Sequence, residues 1–314
     1  MRGANALICF LVVVVSVGSC AVHAEDSVGP VENYYITSKH TYPGLSTKRE
    51  IHLHGDESMQ MFLVAGDIAD FVSKPQYRVN AIIASTNVLF DLNGQYPLVQ
   101  TAIFNALPQE SREQLVQRFQ IEADKRFSKY NLQPTRITDV SRSLVLLDGA
   151  AVESLVLAPI SGNPSRFCFL ATDYPTGGTA TLPPYVEFNK PERISVGVAT
   201  CLSANGDAVA SVVMPLIGAA TSGQISQWLR ACRMRNALIG DLDGLGNYLA
   251  AVDPMGKPIQ LREVGIVVWD RDMDALDTQI RNVVTSAMLA IFEHAAQDIE
   301  HHQPPTDRPF TECK

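Results

Sequence analysis

The sequence has no Cys-x-x-Cys pair, no Gly-Lys-Ser/Thr step and no Asn-x-Ser/Thr sequon, since Asn163-Pro164-Ser165 carries the excluding proline. The first absence removes the usual zinc spacing, and the second removes a P-loop. The third fits a bacterial periplasm better than a eukaryotic secretory route. Basic residues are in deficit: 25 Lys and Arg against 33 Asp and Glu leave a net charge of −8. Polymeric nucleic acid needs a basic face, so it is excluded as a general partner. No Gly-x-Ser-x-Gly elbow or paired catalytic Cys/His motif occurs, and no catalytic residue is assigned. Asp270, Asp272, Asp274 and Asp277 lack calcium-loop spacing, and His294, His301 and His302 have no fixed scaffold around them. The reading therefore assigns no metal and no cofactor.

Long apolar runs are absent everywhere but at the start. Arg2 precedes Leu7 to Val17 (LICFLVVVVSV), and small residues lead to Val22-His23-Ala24. A charged start, a short apolar core and a small-x-small exit predict a signal peptide over 1–24, cleaved near Ala24. The protein is then secreted or periplasmic. The run is well short of the roughly 20 residues that span a bilayer, so no transmembrane span is expected. Val17-Gly18-Ser19-Cys20 loosely resembles a lipobox, and a lipid anchor at Cys20 is the minor alternative. Of six cysteines, Cys9 and Cys20 leave with the signal. Cys168, Cys201, Cys232 and Cys313 remain; in an oxidising compartment they allow one or two disulfides, with the pairing open, and buried free thiols are the equal alternative.

Residues 25–55, rich in Tyr, Pro, Lys and His, read as an extended arm. The main domain is expected over 56–300. Met59–Val64, Val79–Ala84, Ser143–Leu147, Ser154–Leu157, Arg166–Ala171, Ala208–Ile217 and Val264–Trp269 are apolar, strand-like runs. Helical spacing marks Val99–Leu107, Glu110–Tyr130, Ile194–Asn205, Gln224–Asn236 and Asp274–Glu300. Residues 173–192 and 237–262, dense in Gly, Pro or Asp, read as insertions, and 301–314 as a flexible tail. Strands alternating with helices predict an α/β fold, three layers with a mixed, mostly parallel central sheet.

Three strand ends carry small or polar residues where a helix should begin: Ser85-Thr86-Asn87, Gly218 through Gly223, and Asp270-Arg271 after Trp269. Ligands of open α/β sheets collect outside such ends. The ordered segments MFLVAGDI (61–68), VNAIIASTN (79–87), VVMPLIGAATSG (212–223) and VGIVVWDR (264–271) together resemble a macro domain. That family is a three-layer α/β/α fold that binds ADP-ribose or its relatives. The resemblance runs from about Met59 to about Ile291 and leaves 107–140, 173–192 and 237–262 unmatched.

It implies that Asp67 accepts from the adenine amino group with Ile68 beside it, and that Asn87 reaches the distal ribose. It implies Gly94 in the first loop, and Gly218, Ala219, Ala220, Thr221, Ser222 and Gly223 as the second phosphate-binding loop. Trp269 would lie against the adenine ring. Acceptor-only carboxylates suit an amino donor, and an amide suits a diol. The chain departs from the family at Ala84, Ala220 and Ser222, and has a single glycine, Gly94, in the first loop. The expected partner is an ADP-ribose-like small molecule or an ADP-ribosylated protein. The alternatives are an ADP-ribosyl or phosphoester hydrolase using the same cleft, and a non-nucleotide interaction module with a degenerate pocket.

Overall fold

Consecutive β-branched and apolar residues make strands that are buried on both faces, and such strands pair in parallel at the centre of a sheet. In the computed structural model, β2 (Ser58–Gly66), β3 (Ala81–Asn87), β6 (Ser211–Pro215) and β7 (Glu263–Trp269) are of this kind. The structure describes residues 28–38, 42, 44–53, 57–87, 99–129, 154–173, 190–205, 209–219, 225–252, 259–301, 303 and 313. For 87, 126–129 and 173 it describes the backbone alone. The expected signal peptide, the strand at Ser143–Leu147, Gly94, and Ala220 to Gly223 lie outside the described residues.

With β1 (Thr47–His52), β4 (Ser154–Leu157) and β5 (Arg166–Asp173), these strands form a seven-stranded sheet in the order β1-β2-β7-β6-β3-β5-β4. The five inner strands are parallel, and β1 and β4 run antiparallel along the two edges. On β1, Lys48, Arg49 and Glu50 are exposed and only Ile51 is buried, so the edge is charged and resists pairing with another chain.

Helices cover both faces, giving a three-layer α/β/α fold. On one face lie α1 (Pro30–Ser38), α2 (Asp70–Ser73), α3 (Val99–Ala106) and α4 (Gln109–Lys129). Phe104 of α3, Phe119 of α4 and Phe169 of β5 meet there with ring centroids 5.3–5.8 Å apart. The other face carries α5 (Pro191–Asn205), α6 (Gln227–Val252) and α8 (Thr278–Glu300), while the short α7 (Asp270–Asp274) follows β7. A disulfide between Cys168 of β5 and Cys201 of α5 ties that layer to the sheet. A second, between Cys232 and Cys313, fastens the end of the chain to α6. Asp277 starts α8 by accepting the Ile280 amide at 2.9 Å.

Three sequence expectations need correction. The segment 25–55 is not simply an extended arm, because 30–38 is helix and 47–52 is strand. The proposed insertion at 237–262 is helical as far as Val252, within α6. Its glycines serve packing: a Cβ on Gly240 or Gly244 would come within 2.8 Å of Ile194 or 2.6 Å of Val198, so their absence lets α5 and α6 approach closely. The tail is not free throughout, since Cys313 is covalently held.

Candidate functional site

After β3 the chain moves towards β5 and β4, whereas after β6 it moves the opposite way, to β7. Adjacent strands whose connections diverge leave a crevice at their carboxyl ends. The β3–β6 pair is that switch point. Its ladder has only two rungs, Ala81–Val212 and Ile82–Val213, yet β3 continues to Asn87 and β6 to Pro215. The amino ends are fastened by Asn80, which accepts the amides of Ala210 and Ser211 through Oδ1 at 3.1 and 3.0 Å and donates its own amide to Ser211 at 3.1 Å. The pair is closed at one end and unpaired at the other.

On the β6 side of this opening the chain turns at Leu216–Ala219, with the Ala219 amide donating to the Leu216 carbonyl at 3.2 Å. Gly218 has φ of 81°, the left-handed value that this turn needs at its third residue. From α6, Asp241 accepts the Ile217 amide at 3.2 Å. Asp241 is fully buried, and its other carboxyl oxygen has no partner. Burial pushes its pKa well above the usual carboxylate range, against the smaller lowering by the Ile217 amide.

On the β3 side, the Ser85 hydroxyl is buried without a partner, as is that of Thr172 on neighbouring β5. Thr86 bonds Gln100 of α3. Asn87 ends β3, just past an irregularity in its pairing with β5. Buried, unmatched side-chain oxygens are uncommon in folded proteins. Ser85, Thr172 and Asp241 place three of them around this end of the sheet.

Farther along the same edge, Gly66 of β2 is paired with Trp269 of β7, so Asp67 follows directly after the last rung of that pair. Asp67 Oδ1 accepts the Ala69 amide at 2.9 Å and starts the turn into α2, while the Asp67 amide donates to the Tyr34 hydroxyl at 3.0 Å. Ile68 is buried, so only its backbone is placed to meet a ligand. Trp269 is partly exposed, but Arg271 lies over its ring at 5.5 Å from the centroid and covers one face.

The sheet thus brings Asp67, Trp269, the Gly218–Ala219 turn and the backbone of Asn87 to one edge, across four neighbouring strands. Three strand spacings span about 14 Å. The described cations at this edge are engaged: Lys74 with Asp70 at 2.9 Å, Arg230 with Asp272 at 2.6 Å, and Arg271 on Trp269. Asp272 has its pKa raised by burial, opposed by Arg230.

Two site residues escaped the sequence reading. Tyr34 lies in the presumed arm, 33 residues from the loop it bonds, with no local pattern linking them. Asp241 stood in the presumed insertion, although the apolar residues around it (ALIGDLDGLG) have helical spacing that would have placed it on a buried face. No model of a known protein family matches the chain, and no curated protein matches it.

Proposed function

We propose that this chain is an exported, macro-domain-like protein that binds ADP-ribose, or a closely related nucleotide, across the carboxyl edge of β2, β7, β6 and β3. The observation that carries the reading is the early end of the β3–β6 ladder at the switch point, with Asn87 on one side and the Gly218 turn on the other. A ligand with a sugar at each end suits an edge of this length, with adenine at Asp67 and the distal ribose at Asn87. The amides of Ile217 and Ala219 are spent on Asp241 and on the Leu216 carbonyl, so the Gly218 amide is the described backbone donor of this turn for its phosphates, the described cations nearby being engaged as well. Export is supported by two disulfides, which persist in oxidising compartments.

Calorimetry and thermal melting of the mature chain with ADP-ribose test the proposal. A saturable heat with one site per chain, and a rise in melting temperature with ligand concentration, are expected. Absence of both at millimolar ligand would reject it.

A further inference from the structure

The short helix α1 follows the expected signal-cleavage point closely, and it is fixed to the sheet by specific contacts. The Glu263 carboxylate, on β7, accepts the amides of Val31 and Glu32 at 3.4 and 3.1 Å at the start of the helix. Val31 packs where Gly265 has no side chain; a Cβ there would lie 2.8 Å from it. One turn on, Tyr34 is buried with its ring against Phe71 (centroids 4.4 Å apart) and edge-on to Tyr77 (5.0 Å). The Tyr77 hydroxyl is itself held by Thr37 of α1 at 2.9 Å. Gly66 makes room for the Tyr34 hydroxyl, with which any Cβ at that position would collide.

That hydroxyl accepts the Asp67 amide at 3.0 Å. The Asp67 carboxylate spends one oxygen on the Ala69 amide at 2.9 Å, and no described group donates to the other. One bond fixes the peptide and one fixes the side chain, so together they set where the remaining oxygen points. We infer that Tyr34 is a positioning residue for Asp67, and that through it α1 sets the discrimination between an amino and an oxo group on the ligand's base. This rests on the reading of Asp67 as an acceptor for an adenine-type amino group. A carboxylate accepts from an amino group but meets an oxo group acceptor to acceptor, so its aim decides the preference.

The test uses the mature chain, ADP-ribose and the same molecule with hypoxanthine in place of adenine. The wild type is expected to favour the adenine compound by about tenfold or more. Tyr34→Phe keeps the ring packing, and it should lower affinity for ADP-ribose by about tenfold and largely erase the preference. Hydrogen exchange should quicken at the Asp67 amide while the remaining amides of α1 keep wild-type rates. Gly66→Ala, which displaces the hydroxyl while leaving Tyr34 in the chain, should give the same loss of preference if the Phe variant does not fold. Equal binding of both compounds by the wild type, or a preference that survives both substitutions, overturns the inference and leaves nucleotide binding intact. Binding of neither compound by the wild type overturns the nucleotide reading and this role with it.

Discussion

From within the α5–α6 layer, the buried carboxyl of Asp241 holds the amide of Ile217 at 3.2 Å, immediately before the left-handed Gly218. The turn beside the β3–β6 opening is therefore fixed from beneath by a helix whose midpoint passes under it. Two results follow, one electrostatic and one conformational.

The electrostatic result is a pH dependence. Burial raises the pKa of Asp241 well above the ordinary aspartate range. A folded-state pKa above the unfolded one means that the folded protein holds the proton more tightly. The stabilising contribution is complete below the unfolded pKa and is lost as pH rises through the folded value. Asp241→Asn keeps an acceptor for Ile217 but does not titrate. Denaturant melts at pH 5 and pH 8 should show a smaller fall in stability for the variant than for the wild type. Parallel falls would show that Asp241 does not couple to folding. Glu263 and Asp272, also raised by burial, are common to both proteins and cancel in the comparison.

The conformational result concerns Gly218. A side chain at φ of 81° costs about 1–2 kcal/mol, so Gly218→Ala should lower stability by roughly that amount. If the turn also lines the ligand site, affinity should fall as well under conditions where the variant remains fully folded. Lost stability with unchanged affinity would place the turn outside the site.

Removing the carboxylate that starts α1 should loosen the Tyr34 side of the edge. Glu263→Ala deletes the acceptor for two helix-start amides, a loss of about 1–2 kcal/mol, which denaturant melts would report. Glu263→Gln retains one acceptor oxygen and should lose less. An alanine variant as stable as wild type would mean that the other contacts of α1, those of Val31, Tyr34 and Thr37 among them, hold the helix without it.

The two disulfides should separate by accessibility. Cys168 and Cys201 are fully buried, whereas Cys232 and Cys313 are partly exposed. Mild reduction followed by alkylation and mass spectrometry should label Cys232 and Cys313 first. Chain entropy across the 81-residue separation of that pair suggests a stability loss of up to about 4–5 kcal/mol when it is broken. Simultaneous labelling of all four cysteines would contradict the ordering.

Much of the sheet was legible because its central strands are buried on both faces. Val264 to Trp269 and Ala81 to Ala84 are unbroken apolar runs, and that composition has few other uses. β1 was not legible, because an edge strand with three charged residues and one buried Ile51 carries almost no apolar signal. α1 buries only Val31 and Tyr34, too few to mark a helical face. α6 was cut short at Asn236 because Gly240, Gly244 and Gly246 look like breaks in the sequence, although the first two are close-packing positions against α5. For the site, the strand-end positions of Asp67, Gly218 and Trp269 followed from the runs that precede them. Tyr34 and Asp241 act across 33 and 24 residues, through contacts that exist only after the layers assemble.

The most direct measurement is a crystal structure of the chain from Glu25 onward, grown with ADP-ribose. The account predicts the nucleotide lying along the carboxyl edge, its adenine beside Asp67 and its terminal ribose between Asn87 and the Gly218 turn. A ligand bound elsewhere, or a β3–β6 opening filled by the protein's own side chains with ADP-ribose shut out, would contradict it.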